Sequence, residues 1–352
     1  MNNALTLIVD KIINETHDAI SILLHEKDNR DLSFQPGQFL TFIFDANGIE
    51  TRRGYSIWTT PDELPQVGVA IKKFKDGITT KFLLENLKIG DSITSLPPLG
   101  NFTVEPNKEN ERTFVMFGAG SGITPLMSHL QSILKYEPKS NVILFYGNHD
   151  ENSIIFYDKL NSLQKNYSDR FFIEHSLSDP KNDWKGLRGR IDRDKTIELL
   201  EKYKTQFTGQ VEYYLCGPEE MMQTVMNVLK DRNVDRKNIH REIYTTKILD
   251  ETDDIEEKER EVTIILHGNR HKVIVLPGET ILEKALEQGL EIPNSCQFGN
   301  CGTCKAKLLS GKLKLVEQTA LTEEDIKQGF CLTCVGYPAS DNVVIMYESI
   351  FN

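Results

Sequence analysis

Cys296-Gln297-Phe298-Gly299-Asn300-Cys301-Gly302-Thr303-Cys304, followed after 29 residues by Cys334, is the stretch on which the reading of this 352-residue chain turns. A C-x4-C-x2-C run with a distant fourth cysteine is the plant-type spacing for a 2Fe–2S cluster. Two irons bridged by two sulfides need four thiolates from two directions, so three come from one tight loop and the fourth from a distant strand. Gly299 and Gly302 let the backbone wrap closely and aim N–H groups at the sulfurs, which helps set the reduction potential. The competing reading is a zinc knuckle that pairs Cys301-x2-Cys304 with Cys331-x2-Cys334. It leaves Cys296 idle and ignores the four-residue spacing. The expected ligands are therefore Cys296, Cys301, Cys304 and Cys334. Cys331 reads as a small buried hydrophobe, against a ligand or redox-thiol role.

Five of the six cysteines lie between residues 296 and 334, and Cys216 stands alone, which points to a dedicated C-terminal cofactor module. The N-terminus has no basic start and its apolar run breaks at Asp10 and Lys11, and no long apolar stretch occurs elsewhere. The expectation is a cytoplasmic protein without membrane insertion, in which cysteines serve metals or catalysis before disulfides. A formal charge of -11 disfavours non-specific nucleic-acid binding. Any partner docking surface is expected to be basic.

Upstream of the cysteines, residues 262–266 and 272–276 read as a hairpin followed by a helix over about 280–288, which are the parts of a β-grasp module. Before it, residues 248–261 carry eight acidic residues against two basic and no aromatic, which reads as a solvated linker. From about residue 112 the rhythm is strand, helix, strand, the pattern of a parallel sheet covered by helices. The first hundred residues are short alternating strands with turn signals, an all-β barrel or sandwich.

Two glycine-bearing motifs lie in the α/β part. Phe114 to Phe117 is a buried strand, and Gly118-Ala119-Gly120-Ser121-Gly122-Ile123-Thr124-Pro125 turns it directly into a helix. The glycines let the backbone approach phosphates, and Pro125 suits the first helical turn. Gly118, Gly120, Ser121, Gly122, Thr124 and Pro125 are the expected nucleotide contacts. Cys216-Gly217-Pro218 ends the strand 212–215, at the carboxyl edge where open α/β sheets bind ligands, so Cys216 could border a nicotinamide or simply be a buried turn cysteine.

In the β part, Arg53-Gly54-Tyr55-Ser56 offers an arginine fork for a flavin phosphate, a ring to stack on an isoalloxazine and a hydroxyl to donate to N5. An ordinary edge strand is the alternative, and the position just before a nucleotide-binding domain favours the flavin. Ile71 and Lys72, at the end of the strand 67–72, join the expected cofactor contacts. Gly77-Ile78-Thr79-Thr80 opens a helix whose N-terminus suits a dinucleotide pyrophosphate, with Gly77, Thr79 and Thr80 as contacts, or is a plain cap.

In this order the motifs resemble the ferredoxin–NADP reductase superfamily, in particular the reductases of oxygenase systems. The resemblance covers essentially the whole chain and includes Leu96 to Phe102, Tyr146-Gly147-Asn148, Gly189-Arg190 and Ile239-His240-Arg241-Glu242. It implies an N-terminal antiparallel β-barrel holding flavin (1–106), an NAD(P)-binding α/β parallel-sheet domain (107–246), the acidic linker (247–261) and a C-terminal 2Fe–2S ferredoxin domain of β-grasp fold (262–352). The implied cofactors are FAD, with FMN the alternative, and a 2Fe–2S cluster, with NADH or NADPH as donor. Ser56 and Cys216 become the catalytic candidates, Glu242 a residue that tunes the flavin, and Cys334 the fourth ligand. The implied partner is a terminal acceptor protein such as an oxygenase component. Many relatives follow Tyr-Gly-Asn with Arg-Ser, suited to a 2′-phosphate, whereas this chain continues with His149-Asp150-Glu151. Acidic side chains favour a ribose hydroxyl, so the charge points to NADH, although Arg188 and Arg190 could reach a phosphate. The rivals are a diaphorase or hybrid-cluster-protein reductase, which shares every motif, and a redox sensor using Cys331 or Cys216.

Overall fold

The computed structural model describes residues 4–46, 49–73, 83–244, 258–316 and 319–347. The chain divides into two compact units, Met1–Glu242 and Ile243–Asn352.

The first unit opens with six strands: β1 (Leu5–Asn14), β2 (Ala19–Glu26), β3 (Phe39–Ala46), β4 (Ile49–Ser56), β5 (Val67–Lys72) and β6 (Ser92–Leu99). They form one antiparallel sheet in the order β4-β3-β6-β1-β2-β5. An antiparallel bridge between Ile57 and Val69 brings its two edges back together in barrel fashion. Period-two alternation buries Leu5, Leu7 and Val9 of β1 beside Ile20, Ile22 and Leu24 of β2. Each such side chain contributes roughly 1.5–3 kcal/mol of burial.

A second sheet follows, with β7 (Arg112–Ala119), α1 (Ile123–Tyr136), β8 (Asn141–Asn148), α2 (Tyr157–Asn166), β9 (Phe171–Leu177), β10 (Leu187–Arg188), α3 (Arg193–Tyr203), β11 (Gln210–Cys216), α4 (Glu219–Asp231) and β12 (Ile239–Glu242). Its order is β10-β9-β8-β7-β11-β12, and every pair is parallel. Continuous burial of Phe114–Phe117 and Val142–Tyr146 marks strands covered on both faces. The order reverses between β7 and β11, which makes that carboxyl edge the crevice for a ligand.

The barrel is fastened to α1 and α2. Ser128 Oγ donates to Thr59 O at 2.7 Å and Gln131 Nε2 to Trp58 O at 2.8 Å. Glu15 accepts from Phe156 N–H at 3.2 Å, while the Trp58 and Phe156 rings pack at 5.3 Å. Arg112, at the start of β7, bridges buried Glu137 and Glu212 at 2.6 and 2.7 Å.

The second unit contains β13 (Arg260–Leu266), β14 (Asn269–Val275), α5 (Ile281–Glu287), β15 (Lys305–Ser310), β16 (Leu313–Leu315), α6 (Glu323–Lys327), β17 (Phe330–Leu332), β18 (Gly336–Pro338) and β19 (Val343–Met346). Five strands pair in the order β14-β13-β19-β15-β17, with β13 and β19 parallel, and β16 pairs with β18. The β13–β14 hairpin turns on His267 at φ 49 and Gly268 at φ 79, two consecutive left-handed residues that match the strand twist. Thr280 caps α5 by accepting from Glu283 N–H at 3.2 Å. β13 begins at Arg260, inside the stretch that composition reads as linker. Charge counting misses this because the Arg260 guanidinium is buried and donates to Pro338 O at 2.9 Å.

Candidate redox sites

At the carboxyl edge of the parallel sheet the fold joins motifs that are far apart in sequence. Cys216 pairs in register with Gly118 on one side and Glu242 on the other. Gly122 lies so tightly on Cys216 that a Cβ there would stand 2.0 Å from the Cys216 carbonyl oxygen. Gly120 takes φ 53, and its carbonyl accepts from Tyr146 Oη at 3.0 Å, which pins the loop to β8. Ser121 O accepts from Thr124 Oγ1 at 2.8 Å, closing the first turn of α1. A Cβ on Gly120 would meet only Lys72 Nζ, at 3.7 Å. The sequence-predicted residues Gly118 to Pro125, Cys216 to Pro218 and Lys72 thus share one edge.

Ser56 reaches the same place from the barrel. Its hydroxyl donates to Glu242 Oε2 at 3.1 Å, and both residues are buried. Tyr55 pairs with Leu40 across β3 and packs its ring on Phe42 at 5.0 Å. Burial raises its phenol pKa, and its hydroxyl has no hydrogen-bond partner although only 8% of the residue is exposed. A buried orphan donor beside Ser56 is what a site built for another polar molecule leaves behind. Arg53 Nη1 donates to Arg52 O at 2.7 Å. Gly77, Thr79 and Thr80, with the anion site expected there, lie outside the described residues.

Beyond Asn148, Asp150 N–H bonds Ser153 Oγ at 2.8 Å and His149 Nδ1 lies 3.2 Å from Ser178 Oγ. Asp179 N–H donates to His149 O at 2.8 Å, which adds a further carboxylate to this rim. Arg188 spends Nη2 on the carbonyls of Lys181 and Asn182, and Arg190 lies 3.6 Å from Glu220.

In the second unit Cys296, Cys304 and Cys334 are buried and Cys301 is half-buried. The thiols stand as two pairs. Cys296 shares its proton with Cys301, which lowers the Cys301 thiol and pushes Cys296 up, burial adding to the rise. Cys304 and Cys334 pair likewise, Cys304 lowered and Cys334 raised. Two thiol pairs converging from a loop and a distant segment fit a two-iron cluster, one pair to each iron. The zinc pairing fails because Cys331 points elsewhere: it lies opposite Ala306 on β15, its Sγ donates to Ala306 O at 3.4 Å, and burial pushes its pKa up to about 12. Among the described residues no group of three or more His, Cys, Asp or Glu gathers as a single-ion site.

Two residues escape sequence reasoning. Glu15 couples the barrel to α2 only because a hairpin tip meets a helix start, and nothing local signals it. Asn300 is a polar residue buried among the clustered cysteines, and its place between glycine and cysteine was the available clue. Among the described residues no helix is long and apolar enough to cross a membrane.

Comparison with known proteins agrees with this arrangement. Family models match in order: an oxidoreductase FAD-binding domain at residues 5–104, an oxidoreductase NAD-binding domain at 116–227 and a 2Fe-2S iron-sulfur cluster binding domain at 264–339. The chain is 30% identical to a 1,2-phenylacetyl-CoA epoxidase subunit of Escherichia coli (strain K12), covering 98% of each protein. It is 31% identical to the ferredoxin reductase component of 3-ketosteroid-9-alpha-monooxygenase of Rhodococcus rhodochrous, covering 98% of this chain and 97% of that one. Among solved structures, phthalate dioxygenase reductase shares the fold over 98% of both chains, with a TM-score of 0.64 at 23% identity. With these full-length relatives and three domains in register, the chain belongs to the ferredoxin–NADP reductase superfamily, as an oxygenase-type oxidoreductase that binds FAD, a pyridine nucleotide and a 2Fe–2S cluster.

Proposed function

We propose that this chain is the reductase component of an oxygenase system, taking hydride from NADH and handing single electrons to a partner oxygenase through its C-terminal cluster. The observation that carries the reading is the Ser56–Glu242 contact at 3.1 Å, with Glu242 paired to Cys216, because it sets the flavin motif against the nucleotide edge. A bound flavin supplies the conversion of a two-electron hydride into single electrons, which a 2Fe–2S centre takes one at a time.

The residues supply position and electrostatics. Tyr55 offers an apolar ring face and an unpaired hydroxyl for the flavin, and Lys72 a cation beside Gly120 for phosphate. Ser56 holds a proton toward Glu242 that it can turn to a flavin nitrogen. The glycine loop and the N-terminus of α1 favour the nucleotide pyrophosphate, and Cys216 fills the wall where a nicotinamide would lie. Asp179, whose exposed carboxylate lies 3.8 Å from His149 Nε2 beyond the end of β9, adds negative charge that disfavours a 2′-phosphate, which supports NADH as donor. Cys296, Cys301, Cys304 and Cys334 would hold the cluster. The oxygenase as acceptor rests on the named partners of the relatives.

The test is anaerobic titration with NADH and, on fresh protein, NADPH, followed by cytochrome c reduction in wild type and Cys334→Ser. Flavin and iron–sulfur bands both bleaching, with cytochrome activity lost in the variant while flavin reduction survives, is the expected result. Undiminished cytochrome reduction by Cys334→Ser sinks the proposed route.

A further inference from the structure

We propose that Asn300 is a positioning residue that raises the reduction potential of the cluster by latching the loop amides aimed at Cys296. The proposal rests on the reading of Cys296 as a ligand. Two backbone N–H groups donate to Cys296 Sγ, from Phe298 at 3.3 Å and from Asn300 at 3.4 Å. The loop can present both because Gln297 takes φ 63 and Gly299 φ 78, left-handed turns that an unsupported chain leaves readily.

The support comes from outside the loop. The Asn300 side chain is buried, with 8% of the residue exposed. Its Nδ2 donates to the carbonyl of Ile243, the first residue of the second unit, and its Oδ1 accepts from Thr319 Oγ1 at 2.8 Å. Thr319 and Ala320 N–H groups close the same junction on Gly299 O at 3.1 and 3.0 Å. Only a side chain that both donates and accepts satisfies Ile243 and Thr319 together, which a carboxylate or an alkyl group cannot do.

The chemistry gives the sign. An N–H donated to a ligand sulfur draws electron density from it and favours the reduced, more negative cluster, so it raises the potential. Releasing the latch lets the two amides swing away from Cys296 and lowers it. A residue that served folding alone would leave the potential of the assembled cluster unchanged.

The experiment is an EPR-monitored redox titration of the full-length holoprotein for wild type, Asn300→Ala, Thr319→Val and Thr319→Ser. A midpoint shifted to lower potential in Asn300→Ala, a smaller shift in the same direction in Thr319→Val, and the wild-type value in Thr319→Ser are expected. If Asn300→Ala fails to assemble a cluster, the Thr319 pair decides, and a wild-type midpoint in Thr319→Val overturns the proposal. So does Asn300→Ala with an unchanged midpoint and unchanged g-values. A wild-type protein with no EPR signal on reduction instead removes the ligand reading beneath it.

Discussion

Replacing Gly122 by alanine should slow hydride delivery far more than it disturbs the fold elsewhere. The added methyl would stand 2.0 Å from Cys216 O and 2.9 Å from Gly217 N, both backbone atoms of a strand end that is held on each side by sheet pairing. An unstrained carbon–oxygen approach is about 3.3 Å, so the loop and the end of β11 must part by more than about 1 Å. Misplacement of a binding element by 1 Å costs on the order of 100-fold in rate, equivalent to about 2.7 kcal/mol in the barrel-to-nucleotide approach. The assay is anaerobic stopped-flow bleaching of the flavin by NADH, which needs no electron exit through the cluster. Gly118→Ala is the comparison, since its methyl meets side chains and no backbone atom: Leu126 Cδ1 at 3.0 Å, with Tyr146 Cδ2 at 3.7 Å and Leu144 Cδ1 at 4.0 Å in ordinary contact. Equal bleaching rates in the two variants would refute the reasoning.

Tyr55→Phe removes a buried hydroxyl without a partner, so the apoprotein should melt no lower than wild type, while FAD affinity drops by about 1 kcal/mol, roughly fivefold. Fluorescence titration and thermal melts of the apoprotein read both, and a less stable apoprotein contradicts the orphan-donor argument. His129 is fully buried with Nε2 2.9 Å from Phe102 O, and burial depresses its pKa to about 3. Because the folded value lies below the unfolded one, the unfolded state binds the extra proton. The stability is intact above about pH 6.5 and declines by about 1.4 kcal/mol per pH unit as pH falls toward the folded value. His129→Gln should flatten that acid limb in urea melts, and an unchanged slope assigns the effect to other groups. Exchanging His149-Asp150 for Arg-Ser should raise the NADPH-to-NADH ratio of kcat/KM by about tenfold, a gain of roughly 1.4 kcal/mol from charge. An unaltered ratio places coenzyme choice elsewhere on the rim.

The order of domains and the four-cysteine pattern proposed to hold the cluster were legible from the chain because both are local. A C-x4-C-x2-C loop with Gly299 and Gly302 encodes its own turns, and strand–glycine–helix encodes the nucleotide loop. The start of β13 was not legible at Arg260, since composition scores an arginine as solvated and only packing against Pro338 buries it.

The sequence by itself therefore determined the modules, the cysteine spacing and the residue types brought to each candidate site, through local propensity and periodicity. Only the tertiary structure decided that Ser56 meets Glu242 across 186 residues, that Cys216 lies between Gly118 and Glu242, and that Asn300 joins Ile243 to Thr319. The physical reason is that sheet register and helix packing set these meetings, and both are settled by the summed burial of whole strands and helices, so no short stretch of chain carries them.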